Sequence, residues 1–451
     1  MFGFSFIKNR NLTQIRETLT RYERTLEDLG WTNLSLDTLT SEAFLQEGFH
    51  NMIKRVKAYY LKNPLAGHWV NLTTSFVFGE GIGMPRAADE KVQEIIETFW
   101  DDADNRAALT SYRAQQLLCN KLQYEGNLFF MLFDDHEGNV RVRLLNTDEV
   151  DDVIKHPEDR LRTVFYKVKF RKRSYNFLGD NYNIGNFGYV YYPDWKLVNF
   201  TEYKVPANKL KQECVIYHVK INCDINDKFG IPELYRGLDW MKAHKDMAGD
   251  LATLIKSLSM LAWKKKVKGT PAQVTAIKNA LHAKIDLTNI PAGAGSTQIE
   301  NQGIETDAIN TPTGGAVIGE KGLKQMQLMV CAASGIFHHY YGDPSTGNLA
   351  TATSMELPML KKFANYQTLW VDIINDILQY SIDKKIELGI LEGSVEYDEK
   401  TERNIYQTEV DRFIDIDFPP IIQKDLKTYS EALQVALMNR LISEDTAARL
   451  F

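Results

Sequence analysis

Two helical patterns with a charge-segregated segment between them constrain this chain more than any other feature. The first is "GIPELYRGLDWMKAHKDMAGDLATLIKSLSMLAWKKK" (230–266), with Pro232 near the first turn, where a missing N–H costs least. The second is "EKGLKQMQLMVCAASGIF" (320–337). Its Leu323, Met326, Val330 and Phe337 recur at helical spacing as a packing stripe, and Ala332, Ala333, Ser334 and Gly335 leave room for a close neighbour. From Leu251 to Ile285 there are seven lysines and no acid; from Asp286 to Glu320 there are five acids and no Lys or Arg. A short helix (270–284) and short strands and loops (286–318) are expected inside this segment. Two helices flanking a small module can stand side by side as a hairpin. The lysines, Lys264, Lys265, Lys266 and Lys268 among them, then belong to a solvated surface, meet the acidic half within or between subunits, or face phosphate.

Upstream, the pattern is that of an α+β body over about 60–235. Residues 11–62 read as mainly helical. "WVNLTTSFVFGEGIGM" (69–84) reads as β-rich with a glycine exit. "DEKVQEIIETFWDD" (89–102) and "SYRAQQLLCNKLQYEG" (111–126) read as amphipathic helices. "NLFFMLFDDHEGNVRVRLLN" (127–146) reads as a hairpin turning at Asp135, Glu137, Gly138 and Asn139, and further strands are expected at 161–172, 187–192 and 213–221. Downstream, "MLKKFANYQTLWVDIINDILQYSIDKKIELG" (359–389) is a long helix. A β segment, "RFIDIDFPPI" (412–421), and terminal helices follow.

Several chemistries are argued against. With 44% hydrophobic and 25% charged residues and a net charge of −6, composition does not announce nucleic-acid binding. No apolar run reaches the ~20 residues of a membrane span, and "MFGFSFIKNRNLTQ" lacks a signal peptide's apolar core. Cys119, Cys214, Cys223 and Cys331 are scattered, which fits a reducing cytosol rather than a disulfide or zinc framework. "FGEGIG" (78–83) lacks the third glycine of a dinucleotide loop, having Met84 and Pro85 there. "GGAVIGEKG" (314–322) carries Glu320 where a P-loop has lysine, and a carboxylate repels the phosphates. The pairs Asp101–Asp102, Asp134–Asp135 and Asp151–Asp152 read as solvated element ends. His338 and His339 point about 100° apart on a helix, unlike an i, i+4 metal pair. No cofactor and no metal site is expected.

Between the second and third long helices lies "SGIFHHYYGDPSTGNLATATSMELPM" (334–359). Asp343 and Pro344 start a turn, and Ser345, Thr346, Gly347 and Asn348 form a short, neutral tip in which Leu349 is the only large apolar residue. Thr353 or Ser354 can cap the next helix, and Pro358 allows a local kink. No Lys or Arg stands between Lys324 and Lys361.

The order of these parts resembles the portal proteins of tailed bacteriophages. The resemblance rests on "FVFGEGI" before the helix ending "ETFW", "YEGNLFFMLF", "LLNTDEVDDV", and "VIYHVKIN" leading through "KFGIPELYRGLDWM" into a long helix. It continues with "GLKQMQLMVCAASGIFHHYYGD", a polar loop, a very long helix, and the tail "IDFPPIIQKD…LISEDTAARL". It implies an α+β portal fold forming a ring of about twelve subunits at one capsid vertex. Residues 1–232 would be the wing, 233–262 the first stem helix, 263–319 the clip and 320–338 the second stem helix. The channel loop would be 339–352, the long wing helix 353–388, and the C-terminal β segment and crown 389–451. It implies no enzymatic activity, non-specific double-stranded DNA in the channel during packaging and ejection, and docking of the terminase large subunit and then head–tail connector proteins. It also implies contacts with major capsid and scaffold proteins, and a place in the virion after assembly in the host cytoplasm. About twelve copies carry roughly −70 together, which repels DNA from the walls. A metal-dependent DNA-processing enzyme using His338, His339 and Asp343, or a non-channel collar protein, are the alternatives.

Overall fold

The structure, a computed structural model, describes residues 46–159, 161–174, 183–198, 209–224, 227–260, 263–266, 270–282, 297–300, 313–342, 349–398 and 403–421, with a few isolated positions besides. In chain order the longer α-helices are α1 (Gln46–Lys62), α2 (Pro64–Phe78), α3 (Glu90–Asp101), α4 (Tyr112–Glu125), α5 (Leu238–Met260), α6 (Pro271–His282), α7 (Thr313–Ser334) and α8 (Leu349–Glu387). The strands are β1 (Arg86–Ala87), β2 (Asn127–Asp134), β3 (Val140–Leu145), β4 (Val150–Lys155), β5 (Thr163–Ser174), β6 (Asn183–Pro193), β7 (Cys214–Lys220), β8 (Trp263–Lys266), β9 (Thr297–Glu300), β10 (Ser394–Asp398), β11 (Arg403–Gln407) and β12 (Ile414–Asp415). The class is α+β. The chain divides into two units: an α+β body, Ser41–Tyr235 with Thr346–Phe451, and a unit whose described part lies within Arg236–Ser345.

In the body, two antiparallel three-stranded sheets run in the orders β3-β2-β7 and β4-β5-β6. The expected hairpin is present, with Phe129 opposite Leu145 and Asp134 opposite Val140. Its turn is held by Asp135, whose carboxylate accepts from the amides of Glu137 (2.9 Å) and Asn139 (2.8 Å). Phe129, Leu145, Val150, Val153, Tyr166, Val168 and Ile216 close the core across both sheets. Asn105 ties α3 to the hairpin: its amide donates to the carbonyls of Phe99 (3.0 Å) and Val140 (2.9 Å), and its oxygen accepts from Val142 N–H (2.7 Å).

The stretch 69–84 is not β-rich. Residues 64–78 are helical, with Asn63 accepting from Leu65 N–H (2.9 Å) and Pro64 in the first turn. Ala66, Trp69, Val70, Thr73, Thr74, Val77 and Phe78 form one buried stripe, and that burial overrides the β-branched composition. "FGEGIG" therefore leaves a helix rather than a strand. Gln115 fixes it by accepting from Ile82 N–H (2.9 Å) and donating to the Thr110 carbonyl (3.0 Å).

Helix α8 is 39 residues long, about 58 Å at 1.5 Å per residue, and runs through Pro358. Met359, Phe363, Trp370, Ile373 and Ile377 are buried along one side. Phe363 stacks on Phe76 at 4.8 Å, and Trp370 meets Phe78 edge-on at 5.1 Å. Gln367 donates to the carbonyls of both Val77 and Pro419 (3.0 Å each). The expected strand over 412–421 is only β12, paired with β1. A second hairpin, β10–β11, is one the sequence reading missed. The expected terminal helices lie mostly outside the described residues.

Candidate functional site: a helical hairpin carrying a crossover module

Helices α5 and α7 pack against each other within their unit. A Cβ built on Gly319 would meet Leu251, and one built on Gly322 would meet Met247. The lower number on α7 thus faces the higher on α5, so the pair is antiparallel. The bare glycine backbones let it close. Residues 314–322, the near P-loop, lie inside α7, so they form no loop to cradle phosphate.

Between the helices, β8 and β9 pair in parallel across α6, a βαβ crossover. Lys264 stands opposite Gln298, Lys265 opposite Ile299, and Lys266 opposite Glu300. The lysine-only and acid-only halves meet as adjacent strands of one chain. The sequence reading ran the first helix to 266; it ends at Met260, and Lys264, Lys265 and Lys266 are strand residues. Lys268 lies outside the described residues.

The second helix starts at Thr313, earlier than expected, and ends at Ser334. Val330 is fully buried, while Leu323 and Met326 on the same stripe are half-buried. Phe337 does not belong to that stripe. Gly335 takes φ +65°, a left-handed step that ends the helix, and Phe337 precedes a 3-10 turn, His338–Tyr341. The Ser334 hydroxyl donates to the Cys331 carbonyl (2.9 Å) and accepts from Ile336 N–H (3.1 Å), and Gln327 donates to the Tyr341 carbonyl (3.1 Å). His338 and His339 sit in an aromatic run, with ring centres 4.4 Å from Phe337 to His338 and 4.2 Å from His339 to Tyr340. Among the described residues no three His, Cys, Asp or Glu side chains gather as a metal site. Asp343, Ser345, Thr346 and Asn348 lie outside the described residues. Leu349, taken as loop, is the first residue of α8.

Sequence reasoning missed how firmly the body holds the segment leading to α5. Gly126, at φ +71°, caps α4, and a Cβ there would meet the Ile231 carbonyl carbon at 2.5 Å and Pro232 N at 2.7 Å. Asn127 donates to the Gly230 carbonyl (2.9 Å) and accepts from Gly230 N–H (2.7 Å). Glu233, buried, pairs with Lys362 on α8. His218 stacks on Phe129 at 4.1 Å with its Nε2 3.0 Å from Asn127 Oδ1, and burial pushes its pKa down to about 3. The acidic pair 151–152 is likewise no solvated end: Asp151 binds Lys167 (2.6 Å) and Lys169, and Asp152 binds Lys228 (2.8 Å).

Among the described residues no helix is long and apolar enough to cross a membrane. No protein family and no curated protein matches the chain. Solved assemblies with similar chains include the following two. One is from the neck of an empty GTA particle, at 11% identity, covering 89% of this chain and 93% of that one, with a TM-score of 0.48. The other is from the virion of a native gene transfer agent particle, at 11% identity over 89% and 92%, with a TM-score of 0.42. Likeness at this distance fixes neither family nor function.

Proposed function

We propose that the chain is a portal protein: a subunit of a ring of about twelve at one capsid vertex, through which double-stranded DNA enters and leaves. The observation that carries this reading is the antiparallel α5–α7 hairpin with its βαβ module. Ile255 is 54% exposed, and Leu323, Met326, Leu328 and Met329 are only half-buried. A pair of helices leaves such side chains wet, and neighbours in a ring cover them at about 25 cal/mol per Å² of apolar surface. In this reading the hairpin is the stem, the module is the clip on which the terminase large subunit and later the connector proteins dock, and the body is the wing beside capsid and scaffold proteins. The stretch around Asp343, Ser345, Thr346 and Asn348 contacts DNA weakly. Its neutral side chains suit a moving polyanion, whereas lysines would grip phosphate.

The test is to replace Ser345, Thr346 and Asn348 with lysine in particles that package DNA. Packaging should slow or stall while the rings still assemble. Packaging at the unmodified rate would remove the channel-loop assignment.

A further inference from the structure

A ring needs two different patches on each copy, because a head-to-tail contact joins unlike surfaces and closes where its rotation divides the circle. The α+β body carries two patches with opposite charge.

The first is a cleft of about 260 Å³ whose walls come from β5, the turn 194–197, β7, α8 and β11. Five cations line it: Arg162, Lys196, Lys220, Lys228 and Arg403. Lys155 lies within their reach; burial first, then the charges of Lys220 and Lys228, hold its pKa below the ordinary lysine value. Three acids line the same cleft, and each is already engaged. Asp194 accepts from the Tyr166 hydroxyl (2.9 Å) and Lys196 N–H (3.2 Å), Asp227 from Asp224 N–H (2.8 Å), and Asp376 from the Tyr217 hydroxyl (2.8 Å). Lys220 donates to a main-chain carbonyl, that of Asp227 (2.7 Å), and Lys228 is paired with Asp152 (2.8 Å). Lys196 lies over the Trp195 ring at 4.6 Å, and neither it nor Arg403 makes an ion pair among the described residues. Five cations against three acids leave the cleft lining net positive, and in a chain with a net charge of −6 this local excess runs against the whole.

The second patch is the outer side of α3. Glu90, Glu94, Glu97 and Asp101 are all exposed. Their spacing places them within about 60° of one another on the helix, in a stripe about 16 Å long. Val92, Ile96, Phe99 and Trp100 are buried on the other side. The one cation of α3, Lys91, is 2.7 Å from Glu392. Stacked like charges destabilise a helix, so this stripe is costly unless something positive covers it. None of its residues lines the cleft.

We propose that the acidic stripe of α3 on one copy docks in the basic cleft of the next copy, closing the ring head to tail. The inference rests on the ring reading and names the contact. Two reversed chains test it: Glu94→Lys with Glu97→Lys, and Lys196→Glu with Arg403→Glu. Assembly is read as mass in solution at about 0.15 M salt, where charges separated by more than about 8 Å are screened. Each reversed chain alone should lose the ring mass and run as small species. Mixing the two should restore it, because a basic stripe then meets an acidic cleft and an acidic stripe a basic cleft. One chain carrying all four changes should also assemble. Restoration shows that both reversed chains are folded. Reversed chains that assemble like the unmodified protein, or that fail to recover on mixing and in the fourfold variant, overturn the proposal while the ring reading stands. An unmodified chain that does not assemble overturns both.

Discussion

Gly126→Ala isolates the tight corner where the body holds the segment leading to α5. Gly126 sits at φ +71°, where an L side chain costs about 1–2 kcal/mol. Its Cβ would also lie 2.5 Å from the Ile231 carbonyl carbon and 2.7 Å from Ile231 O and Pro232 N. Those are main-chain atoms, so relief requires a backbone shift of the overpacking kind, about 1–3 kcal/mol. The total is about 2–5 kcal/mol. Gly389 supplies the control, with φ +67° and nothing within 4 Å of an added Cβ, so Gly389→Ala carries the conformational part alone. A body of about 300 residues unfolds with an entropy that converts 1 kcal/mol to roughly 1.5 °C. Thermal unfolding of the full chain should fall by about 3–7 °C for Gly126→Ala and about 1–3 °C for Gly389→Ala. Amide exchange over 221–233 should quicken in the first variant only. Equal shifts in the two variants, or unchanged exchange over 221–233 in Gly126→Ala, would refute the reasoning.

Other outcomes follow from the same structure. Lys362→Met leaves Glu233 buried and unpaired and should destabilise the body by about 3–5 kcal/mol, whereas Glu233→Leu with Lys362→Met should recover much of it, read by thermal unfolding. Burial raises the Asp194 pKa to about 6, so the folded state binds a proton more readily than the unfolded one, and this group's contribution to stability falls as pH rises from about 4 to 6. His218 acts with the opposite sign: its depressed pKa contributes stability present above about 6.5 and lost as pH falls towards 3. Unfolding midpoints of Asp194→Asn and His218→Gln, each compared with the unmodified chain across pH 4–8, should show these two slopes removed separately. Cysteines placed at Met247 and Gly322 should be joined within one chain by a short thiol crosslinker, and no product would contradict the antiparallel register.

The hairpin at 127–146 was legible because alternation and turn chemistry agree over Asp135, Glu137, Gly138 and Asn139. The strands at β5, β6 and β7 and the helices α3 and α4 followed from the same period arguments. Helix α2 was misread because Val70, Thr73, Thr74 and Val77 favour strands locally. Its 3.6-residue stripe becomes visible only when the window starts at the Asn63 cap. The β10–β11 hairpin escaped notice because its strand residues are exposed or half-buried, and its connection lacks glycine and proline. For the candidate site, two helices around a charge-segregated module could be read directly, and the halves do meet at Lys266 and Glu300. The parallel pairing could not, since strands of four residues carry little periodic signal. Nor could Asn127 and Glu233, whose partners Gly230 and Lys362 are 103 and 129 residues away, be found by local reasoning. Phe337 fell outside the helix because Gly335 turns left-handed, a conformation that a count at helical spacing ignores.

Electron microscopy of the purified chain at high concentration and moderate salt tests the central claim most directly. Class averages viewed down the axis should show closed rings of about twelve subunits around a bore wide enough for a DNA duplex. Monomers or dimers, or rings without a bore of that width, would contradict the portal reading.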